Sequence, residues 1–317
     1  MRYGERVLYS RRYQGGGYKK RALYARRYQG GYGKRALRAT PLHALLLMLC
    51  LCTQPFDEAD SFTFSVADVG QGLAQFGVKD GRAVLWDMGL PNQYSAWRGV
   101  YEKLGKPDIV SIVISHSDAD HLGGLQYLDH SIKWNGVVAV SPFEDTVKIR
   151  AAAGVWASRV RFEIYAKGDT MRTLSDVEII CLWPPKEIEL DLPLDGSLRN
   201  RYSLVFSLRH GHCRGLITSD IDSTAMMTIA AQSGYGLASQ ILVAPHHGSA
   251  GSVNQLFFSY TSARTAVISC ARQNNYGHPS QEMLNHLIIG GTDLLFTYLD
   301  GTITFVSNGH YWSNNID

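Results

Sequence analysis

The 317-residue chain has only five cysteines, and none of them forms a CxxC pair or any other zinc-type spacing. Zinc-ribbon and redox-dithiol classes are thereby excluded, and the odd count after residue 60 argues against a disulfide framework. Cys181, Cys213 and Cys270 each lie in or beside a strand-like run and read as small buried hydrophobes. No stretch of about 20 consecutive apolar residues occurs, so no helical membrane span is expected. No Ser-, Pro- or Gly-rich linker interrupts residues 61–317. Positive charge is also scarce outside the N-terminus. Residues 1–40 hold twelve Lys or Arg against one acid, a net of +11; the other 277 residues hold nineteen basic and twenty-seven acidic side chains, a net of −8. The body of the chain is therefore acidic, which argues against tight non-specific binding to a phosphate backbone.

What is present begins with a direct repeat, RRYQGGGYKKRALYA at 11–25 and RRYQGGYGKRALRAT at 26–40. A period of 15, rich in Gly and Arg, is too short for a solenoid unit, and residues 1–40 read as a basic, disordered tail. Residues 41–60 contain an apolar run from Leu42 to Cys52, with Cys50 and Cys52 inside it. Eleven mostly apolar residues after a basic stretch resemble a signal-peptide core, giving an expectation of export to a periplasmic or extracellular location, and otherwise a cytoplasmic one. From residue 61 the pattern becomes β-rich, with runs such as Phe62–Ala67, Ala83–Trp86, Ile109–Ser115, Glu178–Trp183, Ser203–Leu208, Gly215–Thr218, Ile241–Ala244, Thr265–Ser269 and Leu294–Tyr298. Helix-like stretches lie between several of them: Gln93–Lys103, Leu122–Tyr127, Ser223–Ala231, Val253–Tyr260 and Gln281–Ile289. Mixed elements of this kind predict one α/β domain over 61–317.

The run Ile109–Ser115 has the apolar, β-branched character of a buried strand and stops at His116-Ser117-Asp118-Ala119-Asp120-His121. Four candidate ligands within six residues desolvate and repel one another unless a cation joins them. In an extended segment alternate residues face one way, which predicts His116, Asp118 and Asp120 on one side, with His121 closing in as the chain turns. Gly123 and Gly124 let the following helix start close by.

At this point the sequence resembles the metallo-β-lactamase superfamily, whose loop reads His-x-His-x-Asp-His. Asp118 stands where the second His is expected, a departure shared with the branch that includes the C-terminal domain of ComEC-type DNA-uptake (competence) proteins and secreted hydrolases such as phosphorylcholine esterase. Further motifs resemble that branch: Asp68-Val69-Gly70-Gln71-Gly72, Trp86-Asp87-Met88-Gly89, Asn200-Arg201-Tyr202-Ser203-Leu204-Val205, Leu216-Ile217-Thr218-Ser219-Asp220-Ile221, Pro245-His246-His247-Gly248-Ser249 and Tyr276-Gly277-His278-Pro279-Ser280. They run in order over residues 62–306. Leu73 stands where an Asp usually follows the GQG, and Ser219 where a Gly usually precedes the Asp. The resemblance implies an αββα sandwich, two mixed β-sheets flanked by helices in a single domain, and a dinuclear site for Zn2+ or Mn2+.

Placed on this chain, His116 and Asp118 would hold one metal, Asp120 and His121 the second, and Asp220 would bridge them. His246 would complete the second metal, with adjacent His247 as its rival. The superfamily often uses one more His for the first metal, and Asn200 occupies that place; nearby His210 reads as a facing or exposed strand residue. Three imidazoles and three carboxylates give −3 against +4, a residue suited to hydroxide and an anionic substrate. Asp120, His247 and His278 are the candidate catalytic residues, His278 as donor to a leaving-group oxygen. The leading expectation is hydrolysis of a phosphoester or phosphodiester, with DNA in uptake as one substrate. Hydrolysis of a small ester (a choline phosphoester or a lactone) and a non-catalytic role in binding DNA or protein are the alternatives.

Overall fold

The computed structural model describes residues 60–188 and 194–316. All belong to the unit Pro55–Asp317; the basic repeat and the apolar segment of the sequence reading lie outside the described residues. Among the described residues fifteen strands form two sheets. The first contains β1 (Phe62–Val66), β2 (Ala74–Lys79), β3 (Arg82–Met88), β4 (Asp108–Val113), β5 (Val137–Val140) and β6 (Arg161–Ile164). The second contains β7 (Thr170–Leu174), β8 (Val177–Trp183), β9 (Val205–His210), β10 (Cys213–Ile217), β11 (Ile241–Val243), β12 (Thr265–Ile268) and β13 (Asp293–Phe296). The chain then returns to the first sheet through β14 (Ile303–Ser307) and β15 (Trp312–Ile316). Spatial order is β15-β14-β1-β2-β3-β4-β5-β6 in one sheet and β13-β12-β11-β10-β9-β8-β7 in the other. Each sheet is antiparallel on one side and parallel on the other: β3 to β6 run parallel, as do β10 to β13.

Strand alternation explains the layering. In β3, Val84 and Trp86 face the second sheet and pack with Phe64, Phe206 and Phe305, while Ala83 and Leu85 face helix Tyr94–Lys103 through Trp97 and Tyr101. The second sheet buries Leu216, Leu242 and Ile268 under helices Ser223–Ser233, Gln255–Thr261 and Gln281–Ile289, which contribute Met226, Phe257 and Met283. Three apolar layers thus separate four layers of secondary structure, α/β/β/α. The central parallel strands are apolar on both faces, as doubly covered strands must be.

Most expected elements appear within a few residues of their expected bounds. The stretch Leu122–Tyr127 differs: it is a four-residue helix, Ala119–Leu122, continued by a 3-10 turn, Gly123–Tyr127. Among the described residues no helix is long and apolar enough to cross a membrane. The loops that follow β3, β4, β10, β11 and β12 gather at one end of the sandwich, where strand C-termini commonly present ligand sites.

Candidate metal centre

Each loop delivers a named group. After β4, His116 is fully buried, its imidazole Nε2 3.7 Å from Asp118 Oδ2. Asp118 is extended (φ −79°, ψ 154°) and directly precedes the short helix Ala119–Leu122, so His116 and Asp118 share a side as alternation predicts. Asp120 departs from that expectation, because it lies within the first helical turn, which brings Asp120 and His121 round together. Gly72 holds the turn from outside: at φ +137°, any Cβ there would sit 2.6 Å from the Asp120 carbonyl. Leu73 completes the contact, its amide donating to that carbonyl at 3.1 Å. Leu73 thus serves this loop through its backbone.

After β10, Ser219 turns the chain in the left-handed region (φ +46°) and its hydroxyl donates to the Leu204 carbonyl at 2.8 Å. Asp220 follows, 3% exposed. Its Oδ1 lies 3.2 Å from His121 Nε2; its Oδ2 lies 3.5 Å from His246 Nε2, 3.6 Å from His247 Nε2 and 4.0 Å from His116 Nε2. One carboxylate therefore faces four imidazoles.

The two adjacent histidines both reach Asp220 but differ in burial and neighbours. Both occupy left-handed backbone (φ +49° and +54°), which turns their side chains apart. His247 is buried, with Nδ1 2.8 Å from the Ser269 carbonyl and Nε2 3.4 Å from Asp120 Oδ2. It joins Asp120 and His121 in one ligand-competent group, while His116, His121 and Asp220 form another. His246 is half-buried, its Nε2 3.4 Å from Asn200 Nδ2. Asn200, where a further histidine was expected, thus meets a histidine that arrives from a different loop. Neighbouring Arg199 fixes Asp118, its Nε and one terminal nitrogen lying 3.0 and 2.8 Å from Oδ1, which leaves Oδ2 directed at His116.

Two tautomers are set by the surroundings. His247 donates Nδ1–H to a backbone carbonyl, and His121 Nδ1 lies 2.8 Å from Asp87 Oδ2, so in each ring Nε2 is the nitrogen left for a cation. Asp87 has no expected role from the sequence beyond its motif. It is 1% exposed, sits at φ +58° and also accepts from the Ser115 amide and hydroxyl, each at 2.8 Å. Three imidazole nitrogens (Nε2 of His116, His121 and His247) together with Asp220 Oδ1 are buried with no hydrogen-bond partner. Buried polar atoms are rarely left so, and these four converge. A divalent cation would satisfy them, and the donor set of imidazole and carboxylate fits Zn2+ and Mn2+ alike.

The electrostatics agree. Burial alone would lower the His121 value, yet the charges of Asp220 and Asp87 outweigh it and hold it well above the ordinary one. His247 is raised likewise, with Asp220 and Asp120 overcoming burial. Burial disfavours the charged form of Asp220, but His121 and His247 hold it well below the carboxylate range. His116 is pushed down to about 4, by burial and then by His121. The pocket is built to attract positive charge, and metal binding displaces the protons that otherwise supply it.

His278 lies at the rim, its ring 5.5 Å from that of His246 and 6.2 Å from that of His247. Burial, followed by the two neighbouring imidazoles, lowers it to about 4, so it is neutral at pH 7. Ser280 caps helix Gln281–Ile289, accepting from the Met283 amide. His210 faces neither the site nor solvent: it is 3% exposed and held by Asp176 and Ser307 at 3.0 and 2.8 Å. Asp60, Asp176 and His210 form a third His/Asp group, but Lys79 already supplies its cation, 2.7 Å from Asp60 and 3.5 Å from Asp176. Cys181, Cys213 and Cys270 are buried free thiols, as expected.

Beside Asp118 a cavity of about 460 Å3 is lined by Ser117, Phe143, Glu144, Lys148 and Arg199. Burial pushes the Glu144 carboxyl up to about 7, against the opposing pull of Ser117, Arg199 and Lys148. A folded value above the ordinary 4.5 means that folding favours the protonated form: the cost is absent below pH 4.5 and is fully developed above about 7. Glu144→Gln should therefore leave stability unchanged at pH 4 and raise it by up to about 3 kcal/mol at pH 8. Denaturant unfolding at both pH values tests this; equal effects at the two would contradict it.

The comparisons with known proteins follow this geometry. The sequence profile described as "Metallo-beta-lactamase superfamily" matches residues 68–270. The chain is 28% identical over 246 residues to "Competence protein ComA" of Neisseria gonorrhoeae, covering 76% of this chain and 32% of that protein. It is 26% identical over 284 residues to "ComE operon protein 3" of Bacillus subtilis, covering 82% and 34%. The chain thus spans about a third of the length of the curated relatives it matches. Among solved structures it resembles the metallo-beta-lactamase fold protein YhfI from Bacillus subtilis, at 10% identity and TM-score 0.46, covering 80% of this chain and 100% of that one. With a profile match over more than half of its length, the chain belongs to the metallo-beta-lactamase superfamily.

Proposed function

We propose that this chain is a dinuclear-metal-dependent phosphodiesterase. His116 and Asp118 would hold the first cation, joined by His246 in place of a histidine at Asn200. Asp120, His121 and His247 would hold the second, and Asp220 would bridge the two. The observation that carries this reading is the convergence of three orphaned Nε2 atoms and Asp220 Oδ1 in one buried pocket. When bound, two divalent cations would supply Lewis acidity and lower the pKa of water enough to furnish hydroxide at neutral pH.

The protein groups divide the remaining work. Asp87 and the Ser269 carbonyl keep the imidazoles of His121 and His247 in the ligating tautomer. Arg199 holds Asp118 in place, and Lys148, which donates to the Ser117 carbonyl, puts a second cation beside the site for a phosphoryl oxygen. His278, neutral at pH 7, donates a hydrogen bond to a substrate oxygen rather than a full proton. Two cationic side chains and a net-positive metal pair suit a phosphodiester better than a neutral ester. Relatives named for competence suggest a setting in DNA uptake, with an exported location for the domain.

Elemental analysis of purified protein and an assay on bis(p-nitrophenyl) phosphate test the proposal. About two metals per chain and Zn2+- or Mn2+-dependent turnover are expected. His247→Ala should cut metal content to about one, whereas His246→Ala should lower affinity only at the more open first site. Far fewer than one metal in the wild type would sink the dinuclear reading.

A further inference from the structure

The phosphodiester reading leaves open what flanks the scissile group, and the loop between β12 and helix Gln281–Ile289 bears on it. Tyr276 in this loop is 68% exposed and contributes to no apolar layer. It is nonetheless held in place. Asn274 Oδ1 accepts from the amides of Tyr276 and His278 at 3.1 and 3.0 Å, while its Nδ2 donates to the carbonyls of Ala271 and His278 at 3.0 and 2.6 Å. The Tyr276 ring stacks on His278 (centroids 5.7 Å apart, planes at 26°), and His278 stacks on His247 (6.2 Å, 25°). Three rings, each tilted by about 25° on the next, therefore run from Asp220 and Asp120 to solvent, and the last is an exposed, fixed aromatic.

Under this ring lies a cavity of about 270 Å3, lined by Asp120, Gln71, Gln273 and Asn275 among others. Its volume falls below that of a pocket for a drug-sized ligand, so it admits one planar ring system. No cation lines it, and its neutral amides can pair with ring nitrogens and carbonyls. Across the centre, the cavity beside Asp118 carries Lys148 and Arg199. A ligand spanning both needs a neutral planar group on the Asp120 side, a phosphodiester in the middle and an anion on the Asp118 side. A nucleic-acid strand has that sequence of groups. A duplex does not offer it, because its bases are stacked and paired.

We infer that Tyr276 is the stacking platform for an unpaired nucleobase next to the scissile phosphodiester, and that this site takes single-stranded nucleic acid. The inference rests on the phosphodiesterase reading for its orientation but is testable by binding alone. The probes are a fluorescein-labelled, phosphorothioate-linked (dT)12, which resists cleavage, and an abasic 12-mer with the same backbone, followed by anisotropy with the full chain. Tyr276→Ala should weaken (dT)12 binding between about 5- and 150-fold, the range for losing one base stack. Tyr276→Trp should retain it, and the abasic strand and a (dA)12·(dT)12 duplex should not respond to the substitution. The inference is overturned if wild-type protein does not bind (dT)12, if Tyr276→Ala binds it equally, or if the abasic strand loses as much. Ring-dependent binding without any cleavage of bis(p-nitrophenyl) phosphate would leave the platform standing and remove only the proposed reaction.

Discussion

Replacing Asp220 by Asn should reduce turnover on the order of 1,000-fold and bring metal content from about two per chain to below one. The side chain keeps its size, so the effect isolates charge. Among the described residues Asp220 is the one carboxylate within 4.0 Å of His116, His121, His246 and His247 at once. Its loss removes a negative charge from both proposed metal positions, and several kcal/mol of transition-state stabilisation depend on that pairing. The metal-free protein should respond as well. Asp220 is held far below the usual carboxylate range, so its contribution to stability is present above about pH 4 and is lost as pH falls further. Metal-free Asp220→Asn should be about 3–5 kcal/mol less stable than metal-free wild type at neutral pH, with the gap narrowing in acid. Elemental analysis with denaturant unfolding at pH 7 and pH 3 checks both parts. Full metal content in the variant would remove Asp220 from the bridging position.

The sequence made some of this arrangement legible for definite reasons. The cluster His116–His121 announces itself because so many charged and imidazole groups in six residues have no structural use. Asp220 is equally visible, as an acid ending an apolar run. Strands β4, β10, β11 and β12 are apolar enough to be seen, and their common end is where the site lies. Which of His246 and His247 is the more buried was not legible, because both are imidazoles and their separation depends on two consecutive left-handed residues. The helical position of Asp120 was hidden by the shortness of its helix, only four residues. Strands β6, β7 and β15 lie at sheet edges, where exposed positions dilute the apolar pattern. Ser219 is instructive in the other direction. The family's usual Gly at that position hints at a left-handed residue, and φ +46° is what Ser219 adopts, its hydroxyl bond to Leu204 helping to hold it there.

Asp87 is the residue whose importance the sequence conceals most, and its substitution should separate ligand orientation from ligand identity. No cation would touch it in the proposed arrangement, yet it governs one that would. Its Oδ2 faces His121 Nδ1 and the Ser115 hydroxyl, each at 2.8 Å, and both of those positions require an acceptor. Asp87→Asn preserves shape and can still accept from the Ser115 amide through Oδ1. The amide nitrogen that replaces Oδ2 is a donor, so it turns His121 Nδ1 into the acceptor and moves the ring proton to Nε2, where it blocks ligation. Metal affinity at the second site should fall about 10- to 100-fold, with activity following it. Asp87→Ala should do the same and in addition lower stability by about 1–3 kcal/mol, because the buried Ser115 amide is left without an acceptor. Competitive metal titration gives the affinity, and nitrogen NMR of the His121 ring gives the tautomer. Unchanged affinity in Asp87→Asn with Nδ1 still protonated would mean that the polypeptide fold alone orients His121. A shift of the proton to Nε2 with weakened binding would instead locate the control of the second metal at the C-terminal end of β3, on the opposite sheet from Asp220 and His247.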